Sequence, residues 1–266
     1  MTEMRVCTLM SGSSGNAIFV ETAGAKLLID AGQSGKNITR ALEEGCNTNP
    51  RELDALLITH AHRDHIAGVG ILSRRYRLPV YATAGAWQEM NGLIGAVQPR
   101  LKNIIEPDKT WQLGDIRIET FPTSHDALEP VGFILSDGEG KTVGIATDSG
   151  VFTARMGKAL LNMDCLVLEA NHDTAMLHNG PYPWPLKKRI AGVLGHLSNE
   201  GAGQALLKTI GEKTKRVILA HLSAENNKPS LALETVRSAL ETNQVSLEDV
   251  DIEVAPRHQP GRCVSF

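Results

Sequence analysis

The chain has 266 residues, of which 42% are hydrophobic and 21% charged, with a formal net charge of −3. That size suits one large α/β domain with a well-filled core. Scattered Gly and Pro without a low-complexity run exclude a largely disordered chain, and the slightly acidic balance excludes a basic nucleic-acid coat protein, though not a nucleic-acid enzyme whose positive charge is carried by bound metal. No run approaches the roughly 18 consecutive apolar residues of a membrane span. The first ten residues lack the basic-then-apolar layout of a secretion signal, so the mature protein is expected to begin at Met1 in the cytoplasm.

In chain order, β-branched runs predict strands over 5–10, 17–21 and 26–30, separated by a Ser/Gly turn and a short turn at 23–25. A helix is expected over 36–44, then a buried strand over 55–59, a His-rich loop and a helix over 66–76. Strand-like runs follow at 79–82, 116–121, 131–136 and 142–146. Beyond Asp148 the pattern gives a helix over 153–161, a strand over 165–169, and helices within 184–194 and 200–210. A strand over 216–220, a helix over 230–241, and short strands at 252–254 and 262–265 close the chain. Strands mixed with helices throughout, without a flexible linker, predict a single domain over 1–266, built from two β-rich halves meeting near residue 147.

Cys7, Cys46, Cys165 and Cys263 contain no CxxC pair. Cys7 and Cys165 lie in apolar strand-like runs and Cys263 in a short terminal one. Reduced, buried thiols are therefore expected, in preference to a disulfide framework or a cysteine metal site.

The strongest chemical signal is His60-Ala61-His62-Arg63-Asp64-His65, directly after the apolar strand. Four metal-competent side chains in six positions at a strand's C-terminal end are more than a polar turn requires. Imidazole and carboxylate donors suit zinc, manganese or iron. Three more candidates each follow an apolar strand: His125 in Thr-Ser-His-Asp, Asp148 in Ala-Thr-Asp-Ser-Gly, and His221 in Leu-Ala-His-Leu-Ser. Asp148 alone would also serve as an N-cap for the helix near Thr153. Its place in the repeating strand-then-ligand design favours a carboxylate shared between two cations.

These residues resemble the metallo-β-lactamase superfamily over nearly the whole chain. The resemblance implies a four-layer αββα sandwich with two divalent metal ions (zinc or manganese, iron being a further option) at one edge between the sheets. It implies one ion held by His60, His62 and His125, the other by Asp64, His65 and His221, with Asp148 bridging. Because lactam, thioester, lactone and phosphodiester hydrolysis share this site, the fold does not name the substrate.

Two later segments narrow it. Leu168-Glu169-Ala170-Asn171-His172-Asp173 and Gly195-His196-Leu197-Ser198 resemble the phosphodiesterase branch, where a non-ligand His assists the leaving group and a Glu holds it. Here that pair is His196 and Glu169. A departing alkoxide needs a proton or nearby positive charge, which an oriented imidazolium supplies. The plain alternative is a His196 that caps the next helix and a Glu169 on the surface. Together with Ser11-Gly12-Ser13-Ser14-Gly15-Asn16, the stretch 182–198 and His221-Leu222-Ser223-Ala224-Glu225-Asn226-Asn227, these strings resemble the YycJ-like, exonuclease-like branch.

That branch implies a metal-dependent, 5′-directed DNA exonuclease in which a hydroxide generated between two cations attacks phosphorus and Asp64 orients it. Small-molecule hydrolysis of a cyclic phosphodiester, thioester or lactone is the alternative, and a non-catalytic nucleic-acid-binding protein the third. DNA ranks ahead of RNA as partner, no membrane is involved, and the sequence sets no oligomeric state. Candidate substrate contacts are Ser13, Ser14 and Asn16, whose turn can form a phosphate nest or a plain hairpin connection. His172 is another, as is Lys187 in Trp184-Pro185-Leu186-Lys187-Lys188-Arg189, a segment that fits either base stacking or a solvated helix face.

Overall fold

A computed structural model describes residues 3–266; the expected start at Met1 lies outside them. Fourteen strands are present among these residues: β1 (Arg5–Met10), β2 (Ala17–Glu21), β3 (Lys26–Ile29), β4 (Ala55–Leu57), β5 (Val80–Thr83), β6 (Lys102–Ile105), β7 (Thr110–Leu113), β8 (Ile116–Pro122), β9 (Val131–Ser136), β10 (Thr142–Ala146), β11 (Cys165–Glu169), β12 (Arg216–Ala220), β13 (Asp251–Val254) and β14 (Val264–Ser265). The helices are α1 (Gly35–Cys46), α2 (Arg63–Ile66), α3 (Val69–Tyr76), α4 (Ala84–Met90), α5 (Ala154–Ala159), α6 (Thr174–Asn179), α7 (Trp184–Ile190), α8 (Asn199–Thr209) and α9 (Pro229–Thr242).

The strands form two seven-stranded sheets, ordered β14-β1-β2-β3-β4-β5-β6 and β13-β12-β11-β10-β9-β8-β7. Each is mixed in the same way: β3 to β6 run parallel, as do β10 to β13, and the remaining neighbours are antiparallel. Strand residues are apolar on both faces. Val6, Ile18, Val20, Leu27 and Ile29 point between the sheets and meet Ile118, Phe133, Ile145 and Val167. Their alternate neighbours, such as Leu9, Phe19 and Leu28, pack under α1, α3 and α4. On the other side Leu166, Leu168, Val217 and Leu219 pack under α5, α8 and α9. Each fully buried aliphatic or aromatic side chain contributes roughly 1.5–3 kcal/mol, so three apolar layers hold four layers of structure in the expected αββα order.

The chain changes sheet between Ile105 and Thr110, whereas the halves were expected to meet near 147; that position ends β10, inside the second sheet. β6 and β7, absent from the sequence reading, are half-exposed strands at the sheet ends and so lack a continuous apolar run. The helix expected over 66–76 begins earlier, at Arg63, and breaks before Val69. The break places Gly68 N–H on the Ala31 carbonyl (2.7 Å), where a Cβ would lie 2.4 Å from the Gln33 carbonyl oxygen. Beyond β4 the Ile58 amide still bonds to β5 through the Tyr81 carbonyl (2.9 Å), but the Thr59 N–H turns to Asp30 Oδ1 (2.9 Å). No helix among the described residues is long and apolar enough to cross a membrane.

Candidate metal centre

The seven expected ligands converge on one edge of the sandwich from loops that follow β4, β8, β10 and β12. His60 leaves β4, His62 precedes α2, and Asp64 and His65 sit within α2, so one helical turn turns both inward. Backbone hydrogen bonds hold the turn from below. Asn16 N–H donates to the Asp64 carbonyl (2.8 Å), and Ala31 N–H to that of His65 (2.7 Å). Gly32 lies so close that a Cβ there would overlap the Asp64 carbonyl oxygen at 1.6 Å. Only glycine fits there.

Asp30 and His221 come directly after a strand and Asp148 one residue later, and Asp30, Asp148 and His221 all adopt left-handed backbone, with φ of 59°, 58° and 57°. For non-glycine residues this conformation costs on the order of 1–2 kcal/mol. At these positions the chain leaves the strand, and the Asp30, Asp148 and His221 side chains reach the histidine cluster.

Four overlapping groups of donor atoms lie mutually within 4.8 Å: His60, His62 and His125; Asp64, His65 and His221; His60, His65 and Asp148; and Asp148, Glu169, His196 and His221. The first three rings stand nearly edge-on to one another, with centroids 4.7–5.0 Å apart. His125 Nδ1 donates to the Gly195 carbonyl (2.9 Å), which leaves Nε2 facing His62 Nδ1 at 3.1 Å. In the second group His65 Nδ1 donates to Asp30 Oδ2 (2.7 Å), turning its Nε2 toward Asp148 Oδ2 at 3.2 Å. Asp148 lies between these first two groups: its Oδ1 is 3.7 Å from His125 Nε2 and 3.2 Å from His221 Nδ1. It does not cap the following helix, since Thr153 does so, accepting from Met156 N–H (3.2 Å).

Buried His60 Nε2 and Asp148 Oδ2 have no hydrogen-bond partner. Buried polar atoms are normally paired, and two orphans aimed into one cluster of nitrogen and oxygen donors fit a divalent cation. Electrostatics agree. Burial disfavours a charged His221, yet Asp148, Asp64 and Glu169 outweigh it and raise its pKa to about 10. Burial likewise opposes ionised Asp148, but His221 and His65 hold its pKa well below the carboxylate range. His60, where burial and the neighbouring His65 act together, is held well below the ordinary histidine value and stays neutral. The cleft demands positive charge and keeps free imidazole lone pairs beside it.

His196 and Glu169 meet next to this cluster. Glu169 is fully buried rather than on the surface, and Ser198, not His196, caps α8. His196 Nδ1 donates to Glu169 Oε1 (2.7 Å) and lies 3.4 Å from Asp148 Oδ1. The same Glu169 oxygen takes His221 Nδ1 at 2.9 Å, a second task that the sequence did not disclose. Its other oxygen accepts from Ser149 and Leu197 N–H. Burial opposes this carboxylate, but His196 above all pulls its pKa down to about 2. The same ion pair raises His196 above the ordinary value despite burial.

The substrate candidates divide. Ser13 and Ser14 are exposed at the β1–β2 turn, while Asn16 is buried there. Asn16 Oδ1 accepts from Gly12 N–H (2.8 Å) and Nδ2 reaches His65 Nε2 at 3.0 Å, so this side chain braces the cluster. His172 is buried; it lines a cavity of about 510 Å³ with His178, Trp184, Lys187, Lys188 and His196. Lys187 Nζ donates to the His178 carbonyl (2.7 Å), and Lys188 lies over the exposed Trp184 ring at 5.4 Å.

Two contributors were not anticipated. Asp30 orients His65 and accepts from Thr59 N–H and Oγ1 (2.9 and 2.7 Å). It ends a strand just as Asp148 does, and that shared pattern was the available signal. Asp126, next to His125, is 3.7 Å from His62 Nε2 and bonded to Arg189 Nε at 2.5 Å.

A four-layer sandwich with a buried histidine–aspartate cluster at one edge defines a class of metallohydrolase. The chain belongs to the metallo-β-lactamase superfamily: residues 25–222 match the family model described as the beta-lactamase superfamily domain. It is 45% identical over 248 residues to a Streptococcus pneumoniae protein named exodeoxyribonuclease WalJ, covering 92% of this chain and 90% of that one. To the Bacillus anthracis exodeoxyribonuclease YycJ it is 42% identical over 233 residues, 88% of each. The solved metallo-beta-lactamase fold protein YhfI from Bacillus subtilis superposes with a TM-score of 0.73 at 18% identity, covering 97% of this chain and 99% of that one, which shows the fold alone.

Proposed function

We propose that this chain is a metal-dependent, 5′-directed exodeoxyribonuclease, with two divalent cations, zinc or manganese, held by His60, His62 and His125, by Asp64, His65 and His221, and jointly by Asp148. The donor set also accepts iron. The observation that carries the reading is the His196–Glu169 pair beside the ligand cluster, set in relatives named for DNA exonuclease activity over about nine-tenths of their length. When bound, such a cation pair makes water acidic near neutral pH and offsets phosphate charge.

The remaining work falls to side chains. Asp64, a quarter exposed at the mouth of the cleft, orients the attacking water. His196 is 19% exposed, so its Nε2 is accessible while Nδ1 is held by Glu169. It gives a proton to the departing sugar oxygen, and the Glu169 carboxylate stabilises the charged imidazole before transfer. The cavity beside His196 takes the terminal nucleotide, with Trp184 offering a face for the base and Lys188 and His172 polar contacts. The exposed Ser13 and Ser14 hydroxyls of the β1–β2 turn are assigned as further phosphate contacts.

The test is end-labelled single-stranded DNA, RNA and bis(p-nitrophenyl) phosphate incubated with metal-reconstituted protein. Stepwise shortening of DNA from its 5′ end, with RNA left longer-lived, supports the assignment. Hydrolysis of the small diester with DNA left intact overturns it in favour of a small-molecule esterase.

A further inference from the structure

Three of the four cysteines, expected from their spacing to be unrelated core thiols, meet at one point. The sulfurs of Cys7, Cys46 and Cys263 lie within 4.8 Å of one another, and among the described residues no imidazole or carboxylate joins them. Cys7 is on β1. The β1–β14 register pairs Val6 with Val264, and continued by one residue it sets Cys7 opposite Cys263 on the same face. Cys46 arrives from above as the last residue of α1. That helix starts at Gly35 near the metal centre and runs for 12 residues, about 18 Å, before reaching the sulfurs. The cluster therefore lies on the outer face of the first sheet, away from the edge that holds the histidines.

Arg5, two residues before Cys7 and on its face of β1, completes the group. Its guanidinium donates to Cys263 Sγ (3.3 Å) and to the Cys46 carbonyl (3.2 Å). Cys7 Sγ donates to the Gly261 carbonyl (3.5 Å). Cys7 and Cys46 are buried, while Cys263 is partly exposed and gives access from solvent.

We propose that Cys7, Cys46 and Cys263 form a second metal site, an all-sulfur one, for a soft divalent cation of the zinc type with solvent as fourth ligand. Three sulfur donors without oxygen or nitrogen select a thiophilic ion over magnesium, calcium or manganese. The Arg5 guanidinium, which also pairs with Glu21 at 2.5 Å, sets a positive group at hydrogen-bond distance from Cys263 Sγ. Such a site ties the C-terminal strand and the end of α1 to the first sheet.

The test uses cobalt(II), whose thiolate complexes absorb in the near-ultraviolet; the His/Asp centre has no sulfur ligand and cannot produce that band. Reduced, metal-stripped full-length protein is titrated with cobalt without oxygen, then with zinc. Expected are a thiolate-to-cobalt band that grows to saturation as cobalt is added, its loss on adding zinc, its absence in Cys263→Ser and its retention in Cys165→Ala. Arg5→Gln weakens cobalt binding about tenfold, the usual scale for an outer hydrogen-bond partner. A wild-type protein that shows no band while all four thiols react in denaturant overturns the proposal. So does a band that survives Cys263→Ser. Neither outcome depends on whether the protein cleaves DNA.

Discussion

The two halves of the candidate metal centre are assembled by different means. The first sheet delivers His60, His62, Asp64 and His65 in one short loop, braced by backbone contacts from Asn16 and Ala31 and by the Asp30 carboxylate. The second sheet delivers His125, Asp148 and His221 one at a time, each from its own strand end, and each needs a separate brace. Gly195 O serves His125, Glu169 serves His221, and β10 itself sets Asp148. A loop can be fixed as a unit, whereas ligands from separate strands depend on the register of the whole sheet. The second half is accordingly where one buried carboxylate, Glu169, serves a ligand and a proton donor together.

The most damaging way to test this contrast is Asp148→Ala, which removes a carboxylate placed between the groups. Metal analysis of the purified variant should show loss of bound metal, and hydrolysis should fall to background. His196→Ala should behave differently, retaining full metal content while its rate on a phosphodiester drops roughly 100- to 10,000-fold; an unchanged rate removes His196 from the reaction.

Asp30→Asn and Glu169→Gln separate the two braces. Asp30→Asn should weaken metal affinity roughly 10- to 100-fold and recover near-normal rate at saturating metal. Glu169→Gln should lose similar affinity but stay slow however much metal is supplied, because its hold on His196 is also gone. Full recovery would mean that Glu169 matters only through His221. The smallest effect belongs to Trp184→Ala: KM for single-stranded DNA should rise on the order of tenfold, the scale of stacking one base, with bis(p-nitrophenyl) phosphate turnover unchanged.

How much of this was legible follows the same division. The contiguous His60–His65 loop is visible in the sequence because its residues are adjacent, and His125, Asp148 and His221 because each follows an apolar strand. Asp30 follows one too, but a lone carboxylate after a strand reads as a turn until His65 is found 2.7 Å away. The edge strands β6 and β7 escaped for want of an apolar face.

By itself, then, the sequence determined the kinds of layer and the kinds of chemistry. Alternation of apolar residues on both strand faces requires covering on both sides, and clustered imidazoles and carboxylates require a cation. Tertiary structure alone decided which distant groups meet: Glu169 with both His196 and His221, and Cys7 with Cys46 and Cys263. Those meetings depend on strand order and on where the chain changes sheet, and they arise only when burying apolar surface draws the two sheets and their helices together.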